Sequence, residues 1–223
     1  MIIRIFAKKI VIRIVENNDW VIITLVGCLF AYALMFIFLL RDSKIQEFLL
    51  QEYPDASNTF LSWVIVSIVY CIVLSILISQ YVPIVPKAIS DLQVFGYELN
   101  KFGFTLLCIS SFYLLKIAFT YLLYSGIGNI RKWGKFYFTS TKLYFSLSII
   151  LIIATFAHYY FYINRKDFLS IYLIAFAFFF FFKIIFFFFH KNQILPEKWY
   201  YKILYICTLQ IAPLLALWKT LFI

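Results

Sequence analysis

Six long apolar runs, separated by short polar connections, decide what this chain can fold into. They are Trp20 to Leu40, Leu61 to Val82, Phe104 to Tyr124, Thr141 to Ile163, Phe168 to Phe189 and Tyr200 to Ile223. The hydrocarbon core of a bilayer is about 30 Å thick and takes about 20 residues of helix to cross, which is the length of each run. In lipid every backbone N–H and C=O must be bonded within its own segment, so the runs are expected to be helices. Hydrophobic residues make up 65% of the chain, charged residues 13%, and the mean hydropathy is +0.94. A soluble domain is about 45–50% apolar and about a quarter charged, so a wetted surface all round is excluded. The expected fold class is all-α: a polytopic membrane protein of about six transmembrane helices, spanning 20–223, with an amphipathic amino-terminal helix over 1–19.

That first helix is read from MIIRIFAKKIVIRIV, where cations alternate with apolar residues and Arg4, Lys8 and Arg13 fall near one helical face. Such a pattern lies in the plane of the interface. The stretch lacks an uninterrupted apolar core ahead of a small-residue cleavage site, so it does not read as a cleavable signal. Asn18 or Asp19 then offers an N-cap, and Trp20 a headgroup anchor.

The net charge is +10. In a soluble protein that would suggest nucleic acid. Here the basic residues sit mostly in short connections between apolar runs, where anionic headgroups are the natural partner, so nucleic-acid binding is not expected. The loop cations divide evenly between the two sides, and the positive-inside rule gives no orientation. A cytoplasmic amino terminus is favoured only because the basic interfacial helix would meet anionic lipid there. Cys28, Cys71, Cys108 and Cys207 lie in apolar runs without metal-ligand spacing, and read as small buried hydrophobes. No metal site and no cofactor is expected.

Helical spacing on the second span aligns Ser67, Cys71, Ser75 and Ser79, and the first span has Gly27 and Ala31 at the same interval. These stripes read as packing seams, since small residues let helices approach closely in lipid. The fourth connection, NRKD, is a tight turn that makes the fourth and fifth spans antiparallel neighbours. No internal repeat of the transporter kind is present. The GIGNIRKWG stretch follows no strand and lacks the ending of a phosphate loop. The 28 Phe and 17 Tyr, with much Ile, Lys and Asn, have the bias of A/T-rich codons, with Phe standing for Leu on lipid-facing positions.

That bias does not account for a lysine in FFFFFKIIFFFFH, residues 178–190. Lys183 there and Lys116 in the third span lie inside apolar runs, whereas all ten acids fall in the amino-terminal segment or the connections. A lysine at the membrane centre costs roughly 2.5–3.5 kcal/mol on insertion scales. Snorkelling to the headgroups is one remedy. It works against geometry here: helical side chains lean toward the amino terminus, whereas the near interface for both lysines lies toward the carboxyl end. For Lys183 that interface is about 10 Å away along the helix.

Alternation of the spans gives the other remedy. Spans three and five run one way and span six runs the other, so Lys116, Lys183 and Gln210 are expected at one height, just off the midplane. Tyr113 and Thr120 share the helical face of Lys116. His190 follows Lys183 by two turns, and Cys207 precedes Gln210 by one. Pro213 lacks an amide hydrogen and is expected to free the carbonyl of Leu209. The candidate site is therefore Lys116, Lys183, Gln210, Tyr113, Thr120, Cys207 and His190. It can act as polar glue between helices, or as a site for an anion, either a lipid phosphate or an acidic residue of a partner helix. No HExxH, GxSxG or intramembrane carboxylate pair is present, so no catalytic residue is assigned.

The last span, WYYKILYICTLQIAPLLALWK, resembles the carboxyl-terminal signature of the domain-of-unknown-function 4271 family of polytopic Bacteroidota inner-membrane proteins. Tyr205, Cys207, Thr208, Leu209, Pro213 and Lys219 carry the resemblance, and NNDW at Asn17 to Trp20 is similar to the family's start. The resemblance implies a multi-pass protein of the bacterial inner membrane and no known chemistry. One departure matters: the family commonly has Glu where this chain has Gln210, so an ion pair with a lysine becomes a hydrogen bond with net positive charge left over. The function expected first is a non-enzymatic scaffold or accessory subunit of an envelope complex. The alternatives are an anionic-lipid carrier or flippase-like protein whose two lysines hold the phosphate, and a membrane-embedded lipid-modifying enzyme. Expected partners are membrane lipids, anionic ones included, and other inner-membrane proteins.

Overall fold

A computed structural model describes residues 19–39, 45–51, 53, 58–82, 100–160, 165–190, 194–196 and 198–222. The interfacial helix expected over residues 1–19 lies outside the described residues apart from Asp19, and so does the connection with Pro83 and Pro86. In chain order the helices are α1 (Asp19–Leu34, running into a π-helical turn Met35–Leu39), α2 (Ile45–Leu50), α3 (Thr59–Ser79), α4 (Lys101–Gly126), α5 (Ile130–Tyr160) and α6 (Arg165–Phe189). The last span is α7 (Trp199–Leu204), a π-helical stretch Tyr205–Ile211, and α8 (Ala212–Phe222). Among the described residues there is no strand. Six stretches are long and apolar enough to cross a bilayer: Asp19–Leu39, Thr59–Ser79, Lys101–Gly126, Ile130–Tyr160, Leu169–Phe189 and Trp199–Phe222. The chain is an all-α, multi-pass membrane protein.

The side-chain pairings show how the spans run. Between α5 and α6, Tyr172 meets His158, Lys183 meets Tyr144 and Phe187 meets Phe136, so one number rises as the other falls and the two helices are antiparallel. Tyr113 with Tyr144 and Tyr124 with Phe136 set α4 antiparallel to α5 in the same way. Trp63 with Tyr137 and Tyr70 with Tyr144 rise together, so α3 and α5 are parallel. Lys116 with Gln210, and Phe104 with Leu221, make the last span antiparallel to α4. Up-and-down alternation is thus written into the contacts themselves.

The main core lies between α1, α3 and α5. Val21, Leu25, Cys28, Tyr32 and Met35 line the buried face of the first span, at three- and four-residue intervals, against Val66, Val69, Val73 and Ile76 of α3 and Phe145, Leu147 and Leu151 of α5. Ser67, Cys71, Ser75 and Ser79 are all buried. Ser75 Oγ donates to the Cys71 carbonyl at 2.6 Å and Ser79 Oγ to the Ile76 carbonyl at 2.8 Å, so these hydroxyls hide in their own helix. Gly27 is different. It is exposed, and a Cβ placed there would meet nothing within 4 Å, whereas Ala31 packs against the core, so Gly27 does not serve the seam expected on the first span. A small residue permits close approach without requiring it, and here the larger neighbouring face is the one buried.

The helix that carries the fourth apolar run begins at Ile130, ahead of Thr141. Its 31 residues extend about 46 Å at 1.5 Å per residue, well beyond a hydrocarbon core of about 30 Å. The basic segment Arg131 to Lys135, read from sequence as loop, is a helical extension of that span. Lys142 follows it and donates to the carbonyl of Leu49 at 3.1 Å and to that of Gln51. Those carbonyls belong to the carboxyl end of α2, where a cation satisfies groups that the helix leaves unpaired.

Candidate functional site

The phenylalanine run of α6 is two-faced. Phe178, Phe181, Phe182, Ile185 and Phe189 are exposed, whereas Tyr172, Phe176, Phe179, Lys183 and Phe187 turn inward at three- and four-residue intervals. Lys183 therefore occupies a core position of an amphipathic aromatic helix. Only 6% of it is exposed, and it does not snorkel. Its Nζ donates to the Tyr144 hydroxyl at 2.8 Å and lies 4.6 Å from the centroid of that ring and 5.6 Å from that of Phe187. The ring faces carry negative potential and hold a cation without a carboxylate.

Lys116 projects from the middle of α4 and donates to Gln210 Oε1 at 2.9 Å. Gln210 is buried, and its Nε2 donates to the Tyr205 hydroxyl. Lys116, Tyr144 and Lys183 line the same cleft. The three residues expected at one height thus meet in one cluster: Lys116 on Gln210 directly, Lys183 on Tyr144 between them. Tyr113 completes it from α4, with its ring against Tyr144 and its hydroxyl 2.7 Å from Ser67 Oγ.

The remaining candidates are elsewhere. Thr120 is buried and returns its hydroxyl to the Lys116 carbonyl at 2.7 Å, serving its own helix. Cys207 is exposed. His190 lies just past the end of α6, with its ring on Phe186. Burial, then the charge of Lys142, holds its imidazole below the usual value.

Cys207 and Tyr205 trade places for a definite reason. Residues 205–211 are π-helical, and the Ala212 amide bonds the carbonyl of Cys207, five residues back. In such a turn the residue beneath Gln210 is at i−5, which is Tyr205, and i−3 falls off the face. Pro213 follows this stretch, in the first turn of α8. Tyr144 left no motif in the sequence; its part in the cluster comes from the packing of α5 against α6.

The cluster stands at the head of a cleft of about 410 Å³. Lys116, Lys183, Gln210, Tyr144 and Tyr113 line one part of it. Leu74, Leu77, Phe176, Phe180, Leu214, Leu217 and Trp218 line the rest, and no acidic residue is among the described lining residues. Among the described residues, no group of three or more His, Cys, Asp or Glu could hold a metal ion. Chemically, the cleft offers a surplus of positive charge and N–H donors at one point of an apolar trough.

Residues 21–221 match the family described as Domain of unknown function (DUF4271). The chain belongs to that family. The matched region contains every residue of the cluster. No curated protein and no solved structure matches the chain.

Proposed function

We propose that this membrane protein binds an anionic lipid by its acidic headgroup inside the bilayer, in the manner of a carrier or flippase-like protein. One observation supports the reading above others: a buried and a half-buried lysine donate, among the described residues, to neutral acceptors, an amide oxygen and a phenol, at the head of an apolar cleft. Packing alone would be served as well by an uncharged pair, and each lysine costs roughly 2.5–3.5 kcal/mol to place there. A bound anion neutralises them, and a membrane lipid brings its own apolar tail for the trough. The membrane proposed is the inner membrane of a bacterium, the setting implied by the resemblance of the last span.

The accessory-subunit reading would put an acidic residue of a partner helix on the same lysines. A helix with its side chains is about 10–12 Å across. A cleft of about 410 Å³ lies in the range of small-ligand pockets, about 300–1,000 Å³, and this favours the lipid. Native mass spectrometry of the purified full chain tests the choice. The expected result is a retained acidic lipid that is lost from a folded Lys116→Met, Lys183→Met variant. Retention of the same lipid by that variant, or a fixed protein partner in place of lipid, overturns the proposal.

A further inference from the structure

Resting on that reading, we infer that the lipid is a single hydrocarbon chain ending directly in a phosphate monoester. Charge comes first. Two ammonium groups share the site, their hydrogen-bond partners are neutral, and no acid is among the described lining residues. The ligand supplies the countercharge. A phosphate monoester carries about −1.5 to −2 near neutral pH. A carboxylate, or the diester phosphate of a glycerophospholipid, carries a single charge and leaves one ammonium unmatched.

Donors come second. An ammonium has three N–H groups. Among the described residues Lys116 spends one on Gln210 and Lys183 one on Tyr144, and both keep others for the oxygens of a terminal phosphate. The Tyr144 oxygen accepts from Lys183, which leaves its own O–H to turn toward the same anion.

The trough sets the third condition. Beyond the lysines the lining is mainly aliphatic and aromatic; Tyr70 and Trp218 belong to it, and three other tyrosine hydroxyls along the cleft face partners of their own. Tyr113 meets Ser67 at 2.7 Å, while Tyr81 and Tyr172 approach His158 at 3.5 and 3.4 Å. A headgroup with glycerol, ester carbonyls or sugar would bury polar atoms there without partners, at about 1–3 kcal/mol each. A phosphate joined to its chain through one oxygen has no such atoms to bury. The cavity of about 410 Å³ suits one chain of this kind better than a two-tailed lipid.

Thermal unfolding of the full chain in detergent, against a set of probes, separates the terms. Farnesyl phosphate is expected to raise the midpoint and to bind at least about ten-fold more tightly than palmitate or dioleoyl phosphatidylglycerol, a difference of about 1.4 kcal/mol. Farnesol and inorganic phosphate alone are expected to do nothing, because each lacks half of the ligand. Equal binding of palmitate or phosphatidylglycerol overturns the monoester assignment and leaves the anionic-lipid reading standing. A full effect from inorganic phosphate overturns the role of the chain. No response to any acidic probe overturns both. The series uses the native sequence throughout, so a variant that fails to fold cannot obscure it.

Discussion

Lys183 keeps its charge inside a phenylalanine run because it belongs to the inward stripe of that run, with a phenol oxygen and two ring faces around its ammonium. Tyr144→Phe removes the oxygen and keeps the ring. Hydrogen bonds between membrane helices are worth about 0.6 kcal/mol on average and up to about 1.7, so a double-mutant cycle with Lys183→Met, read by unfolding in mixed detergent, should give a coupling near 1 kcal/mol. A coupling of zero would mean the bond is idle. Gln210→Glu places a carboxylate against Lys116. Supplying the countercharge from within should leave the chain folded and reduce retained acidic lipid, as measured by lipid extraction; unchanged retention would remove Gln210 from the site. His190 gives a pH expectation. Its folded value lies below that of the free imidazole, through burial and then Lys142, so the unfolded chain takes up the proton first as pH falls. Stability should drop on acidification through about pH 6.5, and His190→Gln should flatten that drop in a pH series of melting curves.

At the scale of elements, the last span departs most from regular geometry. The π-helical stretch Tyr205–Ile211 puts Gln210 over Tyr205 and aims it at Lys116. Deleting Ile206 should restore α-helical register and rotate the two halves of the span by about 100° relative to each other. The expected outcome is a membrane-inserted chain without bound lipid; retained lipid would show that Gln210 need not be aimed. Much of the site was legible in advance because depth follows from span alternation alone: Lys116, Lys183 and Gln210 could be placed at one height without knowing any packing. Faces were harder. A period of 3.6, which the π turn does not obey, puts Cys207 on the inward face, and the same turn conceals Tyr205. Tyr144 carried no comparable signal, because the packing of α5 against α6 sets which of its residues faces Lys183. The helix of the fourth span reaches back past the apolar run because Arg131 to Lys135 interrupt an apolar window without interrupting the helix.

For the whole molecule, the contact registers divide the bundle into two ends. Trp20, Phe102 and Tyr159 gather at one, and Tyr121, Trp133 and Tyr137 at the other. Asn100→Cys and Arg131→Cys should therefore be labelled by an impermeant thiol reagent from opposite sides of sealed vesicles. Labelling of both from one side would contradict the alternation on which the lysine layer depends. The central claim is that Lys116 and Lys183 jointly hold an acid deep in the membrane. An experimental density map of the full chain in a native-lipid nanodisc tests it most directly. The expected result is density bridging the two Nζ atoms and continuing along Phe176 and Leu214 as a single chain. A cleft closed by its own side chains, or lysines turned out to the headgroups with nothing between them, would contradict it.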